Sequence, residues 1–418
     1  MHFFSTGDMD YFGVVETGNC NQTNISRTPL QQAALKGQTR TVELLLTSRA
    51  FIRERDKDTA LHFAVWKSHT DVVELLLTNG AAIDSINKFF NTPLHLAAWN
   101  GQTGIVELLL REGASTRDRN YYMRTRTPLH LAAFKGHTGV VELLVGKGAS
   151  IQAMDERQYT PLHLATLSGS IGTVELLLKK GAVIQALNNS RSTSLHLAAW
   201  NGYTRMVELL LRNGAPMNGI NRDRNTPLNL ATLGGHVGVV ELLLVKGAQI
   251  ESTDGNSPLY LAIRCGHTII MELLLRKGAS IEGVNSSFTL LHSAAQFGHT
   301  CVVEVLLAKG ALIEAHTLCN NTPLHIAAEF GHTDTVELLL RKGASTNAIN
   351  RSNETPLHGA ARKGNTRIVE LLLMKGAPTQ ALDSDDNTPL DIAAYNGHSN
   401  IIQLLKNKAT ELSHENIA

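Results

Sequence analysis

The chain has 418 residues, a formal net charge of +1 and 43% hydrophobic content. A balance so close to zero argues against a protein drawn bodily to nucleic acid or to an anionic membrane surface. No apolar run approaches the ~18 residues of a membrane span, and the four cysteines show no C-x-x-C spacing, which points to reduced thiols in a cytosolic setting.

Residues 1–23 stand outside the pattern that follows. They read as a leader, or, through Met9 to Glu16, as a partial capping repeat. They lack a basic region followed by an apolar one, so no secretory signal is expected. The glycosylation-like triplets at Asn21 and Asn24 then carry little weight.

From 24 to 408 one unit is written twelve times. Its clearest copy runs from Thr92-Pro-Leu-His to Gly113. The Thr or Ser recurs at 28, 59, 92, 127, 160, 193, 226, 257, 289, 322, 355 and 388, most often 33 residues apart. The Thr suits a helix N-cap, since its hydroxyl can accept from an unpaired backbone N–H. Pro suits the first helical position, where a missing donor costs nothing. Leu94, Ala97 and Ala98 share one face, and the small alanines allow close approach of a neighbour. Gly101 suits a left-handed helix end. Thr103 opens a second helix with Val106, Leu109 and Leu110 as its buried stripe, and Gly113 closes it.

A period near 33 with a T-P-L-H signature resembles the ankyrin repeat. The resemblance covers residues 24 to 408 and implies an all-α solenoid, a stack of helix-turn-helix units joined by β-hairpin fingers. It overrides the two or three globular domains that length alone suggests, because each copy contacts only its neighbours. The twelfth copy replaces the usual Val-Glu-Leu-Leu-Leu with Ile402-Gln-Leu-Leu-Lys406, as a polar cap would, and residues 409–418 form a short tail. Capped ends argue for a monomer.

The family pattern places Gly two positions before most Thr/Ser residues. Here Phe90, Thr125, Gln158, Arg191 and Arg224 hold that slot, and later Asn320, Asn353 and Asp386. Asn and Asp tolerate a left-handed backbone, whereas Phe and Thr do so poorly. That argues against a uniform tight turn in the early fingers.

Eighteen histidines invite a metal or general-base reading, but eight belong to T-P-L-H and seven follow the first helix in a Gly-His slot. The T-P-L-H ring is expected to bond backbone groups between repeats. Such side chains recur one layer apart, too far to converge on one ion with bonds of ~2.0–2.1 Å. There is no G-x-S-x-G, P-loop or H-E-x-x-H. No enzyme, catalytic residue, metal or cofactor is expected.

The informative slot is the seventh residue after each Thr/Ser. It holds Trp66, Trp99, Phe134, Leu167 and Trp200 in copies two to six, and all three tryptophans of the chain. By the resemblance it faces the concave groove, edged by Lys67 and Lys135. Early fingers add Phe89, Phe90, Tyr121, Tyr122, Arg124, Arg126, Tyr159, Arg191 and Arg224. Aromatics with Arg around an apolar centre have the composition of an interaction hot spot. The first reading is therefore a scaffold that holds an unidentified partner protein through copies two to seven, by a segment with apolar anchors and acidic residues. Alternatives are plain packing of these rings on each other, a receptor for an anionic ligand or single-stranded nucleic acid, and an adaptor or secreted bacterial effector in a host cytosol. The expected place of action is the cytoplasm.

Overall fold

The computed structural model describes residues 27–48, 52–118, 125–250, 257–280 and 288–415. They form twelve helix pairs in two compact units, residues 1–182 and 183–418. The leader 1–23 lies outside the described residues. In each unit first helices pack on first helices of the next copy, and second helices on second helices. The core is the repeated set foreseen in the sequence: Leu94, Ala97, Ala98, Val106 and Leu109 are fully buried, and their counterparts are buried throughout copies two to eleven, while the terminal copies leave Leu45, Leu390, Ala394 and Ile402 less covered.

The T-P-L-H unit is a capping box with histidine in the place of Glu or Gln. Thr92 Oγ1 accepts from the His95 backbone N–H, and His95 Nδ1 accepts from the Thr92 N–H at 3.3 Å. Nδ1 is thus an acceptor, which leaves Nε2–H to donate to Arg126 O in the next finger at 3.1 Å. His130 repeats the bond to Tyr159 O, His292 to Asn321 O and His325 to Glu354 O. One neutral ring therefore caps its own helix and ties it to the next repeat. Burial pulls His95, His196 and His325 down to about 4, against the opposing pull of the carbonyl bonds.

Copy two departs from this scheme. Ala60 replaces Pro, as Ser194 and Leu290 do in copies six and nine, but only here does the helix run back past the Thr, over Glu54–Trp66. Thr59 Oγ1 then donates to Arg55 O inside the helix instead of capping.

The Gly-His slot builds a second set of ties. His137 Nε2 reaches Trp99 O at 3.0 Å, His236 reaches Trp200 O at 2.8 Å and His332 reaches Gln296 O at 2.8 Å. Each ring closes the first helix of the preceding repeat and stands on its terminal Gly. A Cβ on Gly101 would lie 2.7 Å from the His137 ring, so Gly is required for space as well as for its φ of +70°. Ser68 is the one non-Gly residue in this slot, and there the following copy carries Gln102 in place of a ring. Gln102 Nε2 donates to Val65 O at 2.7 Å and to Ser68 Oγ at 2.6 Å. Gln102→His is expected to cost about 1–3 kcal/mol by overpacking, and Ser68→Gly in the same chain to recover most of it. Urea unfolding of the four chains measures this coupling; equal losses in single and double variants would disprove the steric account.

Among the described residues the fingers contain no strand. Most are five-residue turns organised by an Asn or Asp five positions before the Thr; before Thr322 the hydroxyl of Thr317 holds that place and accepts from Asn321 N–H. Asn87 Oδ1 accepts from the N–H groups of Phe89 and Asn91, while Asn87 N–H donates to Asn91 O. Asp155, Asn188, Asn221, Asn350 and Asp383 do the same. This cage corrects the expectation for the early fingers. Phe90, Thr125, Gln158, Arg191 and Arg224 all take the left-handed conformation, with φ from +54° to +61°. In the fingers where that cage forms, its side-chain bonds offset a backbone cost of roughly 1–2 kcal/mol per residue.

The final helix runs Ser399–Glu415, so most of the tail continues it.

Candidate interaction surface

In the first unit the first helices end at Leu35, Trp66, Trp99, Lys135 and Leu167. The last two slots of these helix ends carry Leu35 and Lys36, Trp66 and Lys67, Trp99 and Asn100, Phe134 and Lys135, Leu167 and Ser168. None is a carboxylate. Lys36 and Lys67 are exposed, while Trp66, Phe134, Lys135 and Leu167 are half-buried.

Trp99 is placed differently from its expected role as a presented ring, being only 4% exposed. It stacks on Phe134, with ring centroids 6.4 Å apart and planes 18° from parallel, and Lys135 Nζ stands 4.2 Å from its centroid. Trp99 therefore supports Phe134 and Lys135 from below, and its own area is already withdrawn from water. A cation held over a ring gains about 0.5–1 kcal/mol at an exposed site, which fixes Lys135 on this face.

Arg126 is also buried, which corrects the reading of it as a presented finger cation. Its Nε lies 3.2 Å from Asp155 Oδ2, and its guanidinium carbon 5.7 Å from the Phe134 centroid. Asp155 needs this counter-charge, because its other oxygen is taken by the N–H groups of Arg157 and Tyr159 at 2.9 Å each. In the second unit two amides take the place of this ion pair, with the Glu354 carboxylate also accepting from one of them at 3.0 Å. There Asn350 Nδ2 donates to Asn321 Oδ1 at 3.0 Å, and Asn350 Oδ1 accepts from Ser352 and Glu354.

The other finger residues divide. Lys88 lies over Phe89, 4.9 Å from its centroid, and Phe90 is exposed. Tyr159 is half-buried with its ring edge-on to His163. Tyr121, Tyr122 and Arg124 lie outside the described residues. In the second unit Trp200 is half-buried, and Arg191 and Arg224 are exposed.

The structure also brings forward residues that sequence reading passed over. In repeats nine, ten and twelve Phe297, Phe330 and Tyr395 are all exposed, Tyr395 to 93%. Only the slot register signals them, since their neighbours in it are polar. Fingers likewise expose an aliphatic residue six positions before the Thr, among them Ile86, Leu187, Ile220 and Ile349.

Among the described residues no group of His, Cys, Asp and Glu is arranged to hold a metal ion. No helix there is long and apolar enough to cross a membrane. Cys265, Cys301 and Cys319 are free thiols.

The family comparison agrees with this architecture. The family model described as ankyrin repeats (3 copies) matches nine overlapping stretches from residue 11 to residue 416. Among solved structures, the chain is similar to the human ASB11 ankyrin repeat domain. The two share 30% identity over 51% of this chain and 98% of that one, with a TM-score of 0.48. No curated protein matches the chain. The capping boxes, the ring-on-glycine ties and the family match together make this chain a member of the ankyrin-repeat family, whose repeats are protein–protein interaction modules.

Proposed function

We propose that the chain is a non-enzymatic, monomeric scaffold that holds a partner protein on the inner helix ends and fingers of repeats two to seven. In the first unit that means repeats two to five, and in the second, repeats six and seven. One observation carries the reading. The inner helix ends of the first unit alternate aromatic and aliphatic rims with Lys36, Lys67 and Lys135, and hold no carboxylate in those slots. An apolar rim edged by one sign of charge suits a segment with apolar anchors and acidic side chains, the charges setting register and encounter rate. Trp66, half-buried and ending its helix, is the anchor with area still to lose. Burying an aromatic side chain removes of order 150–250 Å² from water. The free thiols fit a reducing compartment such as the cytosol.

The test is capture from a eukaryotic cytosolic lysate by the full chain, beside Trp66→Ala and Lys67→Glu, each arm with and without nuclease. The expected result is a protein retained by the wild type, insensitive to nuclease, and weakened at least about tenfold by either substitution. Loss of the signal on nuclease treatment would make the ligand a nucleic acid. Equal capture by all three chains would move the binding face elsewhere.

A further inference from the structure

Two consecutive fingers of the second unit carry the same surface. In the turn before Thr193, Asn188 Oδ1 accepts from the N–H groups of Ser190 and Ser192. In the turn before Thr226, Asn221 Oδ1 accepts from those of Asp223 and Asn225. Arg222 N–H donates to Ser190 O at 2.8 Å and ties one tip to the next. Equal turns at equal register repeat their side chains one layer apart. Leu187 and Ile220, six positions before the Thr, are 42% and 50% exposed. Arg191 and Arg224 hold the left-handed slot, and both are exposed, as is Arg222.

Charge separates this pair from fingers of otherwise similar build. Ile349 and Leu382 repeat the exposed aliphatic before Thr355 and Thr388, but there Asn353 and Asp386 hold the left-handed slot. The last finger adds Asp383 and Asp385. Before Thr193 and Thr226 the one carboxylate is Asp223, beside three arginines. Arg191 and Arg222 form no ion pair among the described residues. A left-handed backbone also costs an arginine more than it costs Asn, Asp or Gly. Nothing in the turn asks for arginine there, since Asn353 and Asp386 fill the same slot of the same turn.

We infer that the fingers leading into repeats six and seven hold an extended acidic segment of a partner protein, with aliphatic side chains on Leu187 and Ile220 and carboxylates on Arg191, Arg222 and Arg224. Packed helix layers stand about 8–10 Å apart, and three residues of extended chain span about 10 Å. The segment therefore carries two carboxylates three positions apart, and two aliphatic residues three positions apart. The excess of arginine over carboxylate selects acidic segments and repels basic ones. The inference rests on the scaffold reading and names the partner chemistry of its second-unit part, but it uses none of the residues that carry that reading in the first unit.

The experiment selects a phage-displayed library of random short peptides on the full-length chain, with counter-selection on the double variant Arg191→Gly with Arg224→Gly. Binding of the selected peptides is then measured by fluorescence anisotropy. Glycine is the decisive substitution, because it removes the guanidinium and suits the left-handed backbone. The expected peptides carry Glu or Asp three positions apart among Leu, Ile or Val. The glycine double variant, and Leu187→Ser with Ile220→Ser, each weaken them about tenfold or more, the former without lowering the melting temperature. Added salt weakens them as well. Trp66→Ala, Lys67→Glu and Ile349→Ser leave them unchanged. The proposal is overturned if the selected peptides lack the acidic pair, or if the serine double variant binds them as well as the wild type. It is also overturned if the glycine double variant melts lower, which would make the two arginines part of the fold. A labelled oligo-dT strand that binds tighter than any peptide, with the same arginine dependence, would make the ligand a nucleic acid and overturn it too. No peptide surviving counter-selection, with lysate capture still lost in Trp66→Ala, would overturn this inference and leave the scaffold reading standing.

Discussion

Arg126→Ala is expected to destabilise the first unit by about 3–5 kcal/mol, although the residue reads from the sequence as a surface cation. The magnitude is that of removing one partner from a buried ion pair. Asp155 would stay behind, buried, with one oxygen still held by two backbone N–H groups and the other facing no positive charge. The pair also joins two consecutive fingers and lies against Phe134, so its loss would loosen the support of the inner face. The second unit shows how to remove the charge without removing the joint. Arg126→Asn with Asp155→Asn would copy the Asn321–Asn350 arrangement. That double variant is expected to recover most of the loss, because no uncompensated charge remains. Urea unfolding of the wild type, the two single variants and the double variant at neutral pH measures the coupling. A double variant as unstable as Arg126→Ala would show that the pair acts through packing alone.

Mild acid should destabilise the protein well before its carboxylates are protonated. His95 in the first unit, and His196 and His325 in the second, titrate in the folded chain at about 4 because burial disfavours the charged ring. In the unfolded chain the same rings titrate near 6.5. The sign follows from that depression. Above about 6.5 both states are neutral and the stabilisation is fully present. As pH falls from there toward 4, the unfolded chain gains protons that the native chain refuses. Each ring then costs about 1.4 kcal/mol per pH unit. By pH 5, His196 and His325 together would remove about 4 kcal/mol from the second unit, and the lowered His292 and His358 act in the same direction. The check is the urea midpoint at neutral pH and near pH 5. His325→Gln should flatten part of the slope, since copy one closes its box with Gln31, which does not titrate. A midpoint that does not move between the two pH values would contradict the description of these rings as buried and neutral.

How far the sequence could be read depended on the range of the interaction. The helix pair, its caps and its core were legible because Thr, Pro, Leu, Ala and Gly act within one copy. The T-P-L-H ring was legible in kind, since eight copies with a ring at one register point to a backbone partner. Arg126 was misjudged because its counter-charge lies 29 residues on, and nothing local distinguishes a buried finger Arg from an exposed one. Trp99 was misjudged for a related reason: the core slots of its own copy were full, but Phe134 and Lys135 of the next copy close over it. The early finger turns were doubted on the residue in the left-handed position. For Phe90, Gln158, Arg191 and Arg224 the signal lies three residues earlier, in Asn87, Asp155, Asn188 and Asn221, whose side chains hold the turn. The glycine before each Gly-His ring was read as a conformational choice, and its steric role appears only when the neighbouring repeat is in place.

Hydrogen exchange of the full chain with and without its captured partner shows whether that partner lies on the inner helix ends. Slowed exchange is expected at the first-helix ends around Trp66 and Lys67 and around Phe134 and Lys135, and in the finger 86–91. The second helices bearing Glu74, Glu107 and Glu142 should be unchanged. Protection confined to those second helices would contradict this expectation and place the partner on the opposite face.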